Sequence, residues 1–263
     1  MKKYLVIGNP IEHSLSPKLH NYWIKKNKLD AIYEKKKIEE NEIENVISQV
    51  KKDMIKGVNV TVPYKKVVIP YVDELSFEAK EAQSINTIYK EKNKIIGHNT
   101  DINGFELAIR AKGYNLKDKK ALILGAGGVV SSIIVALKKM KISKIILSNR
   151  TKKKAEEIKK LFPYIEIIDW GEMTDFNIII NATSVGLNNK EEIKLNYEEI
   201  ETNKLFYDVI YNPKETKFLS KAKKFGHQTE NGKMMFIYQA HQSFTIWHKL
   251  MPDINQEVIN LLD

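Results

Sequence analysis

KKALILGAGGVVSSIIVALKKM, residues 119–140, decides the fold. Its apolar run ALIL leads into Gly125, Gly127 and Gly128, and a long helical pattern follows. That order is strand, glycine turn, helix. Glycines let backbone N–H groups come close to a pyrophosphate, and the helix N-terminus adds partial positive charge. Gly125 and Gly127 occupy the first two positions of the G-x-G-x-x-G fingerprint; the third is Val130, with Gly128 adding freedom nearby. The turn reads as a dinucleotide cradle, with a mere tight connection as the alternative.

The next strand, KIILSNR (144–150), sharpens this reading. An NAD-preferring site places an acid at this strand end, to accept from the ribose 2′-hydroxyl. Here stand Ser148, Asn149, Arg150 and Thr151, followed by Lys152, Lys153 and Lys154. An acid would repel a 2′-phosphate, whereas a guanidinium meets it with paired, charge-assisted hydrogen bonds. Only Arg110 and Arg150 are arginine among 43 basic residues, so Arg150 stands out from a lysine background. The strand end points to NADP as cofactor; a solvated helix start is the competing reading.

Around this core, short apolar runs alternate with helical patterns, which predicts an α/β protein with parallel strands. Strands are expected at 3–8, 31–38, 57–63, 165–169, 176–184 and 205–211, with two short ones around a polar turn within 85–99. Residues 57–63, GVNVTVP, read as an alternating strand. Helices are expected at 16–27, 41–50, 101–113, 151–162, 214–226, 232–250 and 254–263. The polar GYNLKDKK places a boundary between two units within 101–118.

Composition bounds the function. The chain has 263 residues and no cysteine, which excludes disulfides, thiolate metal sites and a cysteine nucleophile. No metal is expected. Net charge is 43 − 33 = +10, but lysine and glutamate alternate, as in KEAQSINTIYKEKNK, in the manner of a solvated surface. With arginine nearly absent, nucleic acid is not the expected partner. No apolar run reaches the span of a membrane helix, and the short N-terminal one is broken by Asn9 and Pro10. A cytoplasmic protein with a small-molecule substrate is expected, as monomer or homodimer.

Short polar side chains crowd three segments of the first half. GNPIEHSLSPKLHN (8–21) offers Ser14 and Ser16, and GVNVTVPYK (57–65) offers Asn59, Thr61 and Lys65. SINT and GHNTD add Asn86 and Asp101. Hydroxyls and amides recognise a polyhydroxylated ligand, because each donates and accepts. A lysine beside a carboxylate is an acid–base unit suited to carbonyl reduction or alcohol oxidation. The alternative is that Ser16 caps a helix, Asn59 and Asn86 make turns, and Lys65 and Asp101 are surface charges. Spacing leaves both readings open.

The strings GNPIEHSLSPKLHN, GVNVTVPYK, INT, GHNTDING, GAGG, NRT, NATSVGL and YDVIYNP, in this order, resemble the shikimate dehydrogenase family over nearly the whole chain. The resemblance implies an N-terminal α/β substrate domain, 1–101 plus 237–263, and a Rossmann-like NADP-binding domain, 102–236. It implies NADPH-dependent reduction of 3-dehydroshikimate to shikimate, on the route to chorismate and the aromatic amino acids. Lys65 and Asp101 would be the catalytic pair. Ser14, Ser16 and Tyr211 would hold the substrate carboxylate; Asn86, Asp101 and Gln239 would hold ring hydroxyls, with Asn59 and Thr61 close by. Gly125, Ala126, Gly127, Gly128 and Val129 would cradle the pyrophosphate. Asn149, Arg150, Thr151 and Lys154 would surround the 2′-phosphate, and Val209 and Gly232 would border the nicotinamide. Lys233 and Phe236 depart from the small or aliphatic residues usual at their places. Two other readings stay in view: an NAD-using quinate/shikimate dehydrogenase, and a silent dinucleotide-binding regulator.

Overall fold

The computed structural model describes residues 1–188 and 191–263. In chain order its strands are β1 (Lys2–Gly8), β2 (Ala31–Lys37), β3 (Gly57–Val60), β4 (Glu74–Leu75), β5 (Thr87–Glu91), β6 (Lys94–His98), β7 (Lys120–Leu124), β8 (Lys144–Ser148), β9 (Glu166–Ile168), β10 (Ile178–Asn181), β11 (Leu205–Asp208) and β12 (Gln228–Glu230). Its helices are α1 (Ser16–Lys26), α2 (Ile43–Lys51), α3 (Phe77–Ala82), α4 (Asp101–Ala111), α5 (Val130–Lys139), α6 (Lys152–Leu161), α7 (Lys217–Lys224), α8 (Lys233–His248) and α9 (Gln256–Asn260). Two compact units result: Met1–Phe105 with Ile237–Asp263, and Glu106–Phe236. Among the described residues no helix is long and apolar enough to cross a membrane.

The first unit is built on a mixed sheet of order β2-β1-β3-β5-β6-β4. β1 pairs in parallel with β2 and β3, while β3–β5 and β5–β6 are antiparallel. The expectation of parallel strands therefore holds only in part here, because the hairpin β5–β6 enters the sheet beside β3. β3 is interior and buried at all four residues, Asn59 included, so its alternation does not mark a wet face. One core layer gathers Ile7, Val46, Val50, Val58, Val60 and Ile88. α1 starts with Pro17 in its first turn, where a missing N–H costs nothing, and turns Leu19, Trp23 and Ile24 inward. Trp247 of α8 lies over Gly57: a Cβ there would sit 2.4 Å from the indole, so only glycine admits this packing. The indole N–H then reaches the Ile88 carbonyl at 3.2 Å.

The second unit is wholly parallel, with order β12-β11-β10-β7-β8-β9. The chain enters at β7, goes to β8 and β9 on one side, then to β10 and β11 on the other. That reversal is the topological switch point of a doubly wound sheet, where ligands bind at the carboxyl ends of the strands. Every residue of α5 from Val130 to Leu137 is buried, matching its apolar sequence. α6 buries only Ala155 and Ile158 and turns its lysines outward.

Candidate active site

In the first unit the polar segments converge. Lys65 follows β3, Asn86 directly precedes β5, and Asp101 opens α4. Lys65 and Asp101, 36 residues apart in sequence, meet with Nζ 2.6 Å from Oδ2 and are 9% and 5% exposed. Asn86 Nδ2 donates to the other carboxylate oxygen, Oδ1, at 2.9 Å. The surface-charge alternative is thus excluded: this is a buried, hydrogen-bonded ion pair.

The Asn86 amide has one possible orientation. The Thr100 backbone N–H, which only donates, lies 2.8 Å from Oδ1, so that atom must be the carbonyl oxygen. The Thr87 hydroxyl also donates to it at 3.0 Å. Nδ2 therefore faces Asp101, and both carboxylate oxygens accept.

A second layer locks this geometry. Asn59 Nδ2 reaches the Asn86 carbonyl at 3.0 Å, Thr87 Oγ1 at 3.1 Å and Ser243 Oγ at 3.0 Å. Asn59 Oδ1 accepts from the Tyr33 hydroxyl at 2.7 Å. Gln239 of α8 places Oε1 3.5 Å from Asn86 Nδ2. Ser16 is the first residue of α1, not its cap, and its N–H lies 3.3 Å from Ser14 Oγ. Thr61 turns its methyl toward Gly8, whose Cβ, if present, would fall 2.5 Å from it.

The second unit holds the other candidates. Gly125 has φ +106°, and a Cβ there would strike the Ala182 carbonyl at 2.9 Å, so glycine is required at this turn. Gly127 is open: its Cβ would meet only Ala182 O, at 3.6 Å. α5 has no side-chain cap at Val129 and no acid in its first turn, so nothing there offsets the partial positive charge that its N-terminus offers an anion. β8 ends on buried Ser148; Asn149 Nδ2 then holds the Thr151 carbonyl at 2.8 Å, and Arg150 and Lys154 are exposed. Arg150 makes no ion pair among the described residues. Tyr211 stacks on Phe236, with ring centroids 4.5 Å apart, so the unusual Phe236 serves as its platform. Gly232 approaches Val209 so closely that a Cβ would fall 2.1 Å from its carbonyl oxygen.

Comparison with known families places the chain among known proteins. Residues 6–88 match the shikimate dehydrogenase substrate binding domain, and residues 106–217 match the shikimate/quinate 5-dehydrogenase model. The chain belongs to the shikimate dehydrogenase family. It is 63% identical over 262 residues to a shikimate dehydrogenase (NADP(+)) of Pelagibacter ubique, covering 100% of this chain and 99% of that one. Among solved structures, the shikimate dehydrogenase of Aquifex aeolicus is 36% identical with a TM-score of 0.91, covering 100% of this chain and 97% of that one. That of Thermus thermophilus, in complex with NADP(H) and shikimate, is 29% identical with a TM-score of 0.90, covering 100% and 98%.

For this member of the shikimate dehydrogenase family, sequence reasoning passed over four residues of the buried network. Thr87 and Thr100 sit inside quoted motifs, beside the residues singled out. Ser243 lies one helical turn after Gln239, and a hydroxyl at i+4 in an apolar helix was the available signal. Tyr33, within the lysine-rich AIYEKKK, carried no signal.

Proposed function

We propose that this chain catalyses the reversible, NADPH-dependent reduction of 3-dehydroshikimate to shikimate, with Lys65 and Asp101 as the catalytic pair. The buried 2.6 Å contact between Lys65 Nζ and Asp101 Oδ2 carries this reading. It sets a protonated amine, held by a carboxylate, in the substrate-binding unit of a dehydrogenase family.

Ser14, Ser16 and Tyr211 hold the substrate carboxylate with hydroxyl donors. Asn86, Asp101 and Gln239 bind ring hydroxyls, and Thr61 lies beside them. Asn59 belongs to the same set and supports it through hydrogen bonds to Asn86, Thr87 and Ser243. The second unit suits NADP. Gly125, Ala126, Gly127, Gly128 and Val129 form a glycine turn under an uncapped helix start. Asn149, Arg150, Thr151 and Lys154 present no acid, and the exposed guanidinium of Arg150 is matched to a 2′-phosphate. Val209 and Gly232 border the nicotinamide. When bound, NADPH supplies the hydride.

Negative charge develops on the substrate's 3-keto oxygen as its carbon is reduced. Lys65 stabilises that oxygen and gives it a proton, and the ammonium is restored from solvent. Asp101 accepts from Lys65 and from the substrate throughout and keeps both in register. In the reverse direction the neutral amine takes the hydroxyl proton.

The test is NADPH oxidation by the purified protein with 3-dehydroshikimate, run beside NADH, with quinate and oxidised cofactor as a control. Rapid turnover with NADPH and little with NADH or quinate is expected. Equal turnover with NADH, or turnover with quinate, would move the assignment to the broader quinate/shikimate dehydrogenase, and no turnover would overturn it.

A further inference from the structure

The second unit buries a carboxylate that the chemistry above does not use. Asp208 closes β11 and has no exposed surface. Thr216 Oγ1 donates to Oδ2 at 2.6 Å, and Asn181 Nδ2 and the Ile210 N–H each donate to Oδ1 at 3.0 Å. The Thr216 oxygen itself accepts the Leu219 N–H at 3.4 Å, so its one proton is free for Asp208. Every partner is a donor, which is the arrangement a charged carboxylate requires. Among the described residues, the hydrogen-bond partners of its carboxylate oxygens are Thr216, Asn181 and Ile210. Burial pushes its pKa up to about 6 against the pull of the three hydrogen bonds, so it is ionised at neutral pH.

Its place in the sheet gives this charge a direction. Asp208 pairs with Asn181, Asn181 with Leu124, and Leu124 with Ser148, in one row at the carboxyl ends of the strands. The residues after Leu124 make the glycine turn. Those after Ser148 are Asn149 and Arg150, which places the adenosine half over β8. A dinucleotide laid across the switch point therefore has its nicotinamide half on the β10–β11 side. There the chain offers Asp208, Val209 and Gly232.

We propose that Asp208 is a fixed buried charge that favours the oxidised, cationic nicotinamide ring over the neutral reduced one. This rests on the NADP reading above. A negative charge away from water acts over several ångströms with little screening. The ring becomes cationic as reduction of the substrate proceeds, so the same charge assists the forward reaction. Asp208 touches no reacting atom and acts as an electrostatic positioning residue. It has a structural role as well, because through Asn181 it ties the loop after β10 to the loop after β11: Asn181 also holds the Val185 carbonyl at 3.1 Å and accepts from the Thr183 N–H at 3.0 Å.

A scaffold role and a charge role part company when the two cofactor forms are compared. The experiment measures equilibrium dissociation constants of NADP+ and NADPH by calorimetry, for the unmodified protein, Asp208→Asn and Thr216→Val. Asparagine can keep Asn181 and Ile210 on its oxygen and offer its amide to Thr216. Asp208→Asn is expected to weaken NADP+ about fivefold or more while NADPH changes less than about twofold. Thr216→Val, which keeps the charge, is expected to move both forms alike. Equal losses for both forms in Asp208→Asn, or no loss, would overturn the proposal.

Should Asp208→Asn not fold, the unmodified protein answers the question. Its preference for NADP+ over NADPH is expected to shrink between about pH 8 and about pH 5.5, as the carboxylate takes up a proton. The 2′-phosphate titrates in both forms and cancels. Among the described residues, the titratable groups that feel Asp208 are Tyr197 and Tyr207, whose hydroxyls burial holds far above this range. A constant preference would overturn the proposal. Binding of neither form by the unmodified protein would refute the NADP reading itself, a different failure from an unmoved ratio.

Discussion

At the scale of single residues, the site depends on orientation imposed by hydrogen bonds that run one way. Thr100 N–H fixes the Asn86 oxygen, Asn86 N–H fixes Asp101, and Asp101 holds Lys65 through its other oxygen. Arg150 shows a second use of a single side chain. In a chain with 41 lysines, a guanidinium at the end of β8 would, in the proposed site, supply what an ammonium lacks, a planar fork for a phosphate. Arg150→Ala is expected to weaken NADPH about tenfold or more and to leave NADH nearly unchanged, as each charge-assisted bond is worth about 1.5–3 kcal/mol. Equal losses for both cofactors in a direct binding measurement would remove Arg150 from the 2′-phosphate site.

At the scale of elements, local chemistry was legible and long-range pairing was not. The strand, turn and helix around Gly125 are readable because every cue lies within 22 residues. The order β12-β11-β10-β7-β8-β9 is not, since it is settled by pairings between distant segments. Expected strands overrun their observed ends: 57–63 shrinks to Gly57–Val60, and 205–211 to Leu205–Asp208. In both, the chain leaves the sheet at the candidate site residues, so the apolar pattern outlasts the ladder. α3 escaped notice because it is short and polar, buries only Ala79 and Ala82, and is held by the Ser76 cap. β4 is two residues long, too short for any periodicity. The ion pair itself lay beyond local reading, because 36 residues of sequence say nothing about a 2.6 Å distance. Only the long motifs, read together, pointed to it.

At the scale of the whole molecule, buried histidines set the response to acid. His20 stacks on Tyr33 at 4.1 Å, and neither of its ring nitrogens has a partner among the described residues. Burial lowers its pKa from 6.5 to about 3, and burial likewise lowers that of His248 from 6.5 to about 4. A group depressed in the folded state binds its proton first in the unfolded chain. Its stabilisation is full above pH 6.5 and is lost as pH falls, at about 1.4 kcal/mol per pH unit for each histidine. Asp208, raised from 3.8 to about 6, works the other way between those values and offsets one of the two. The melting temperature is therefore expected to hold above pH 7 and to fall as pH drops through about 6 toward 4.5. His20→Phe, which keeps the stacking and removes the titrating ring, is expected to flatten that fall. A melting temperature independent of pH over this range would contradict the assignment.

The proton-donor role of Lys65 is tested most directly by steady-state kinetics of Lys65→Ala in both directions of the reaction. A fall in kcat of about 10²–10⁴-fold, with the KM for shikimate within about threefold, is the expected result for loss of the general acid. An unchanged kcat, or a loss confined to KM, would show that the buried pair binds substrate without moving its proton.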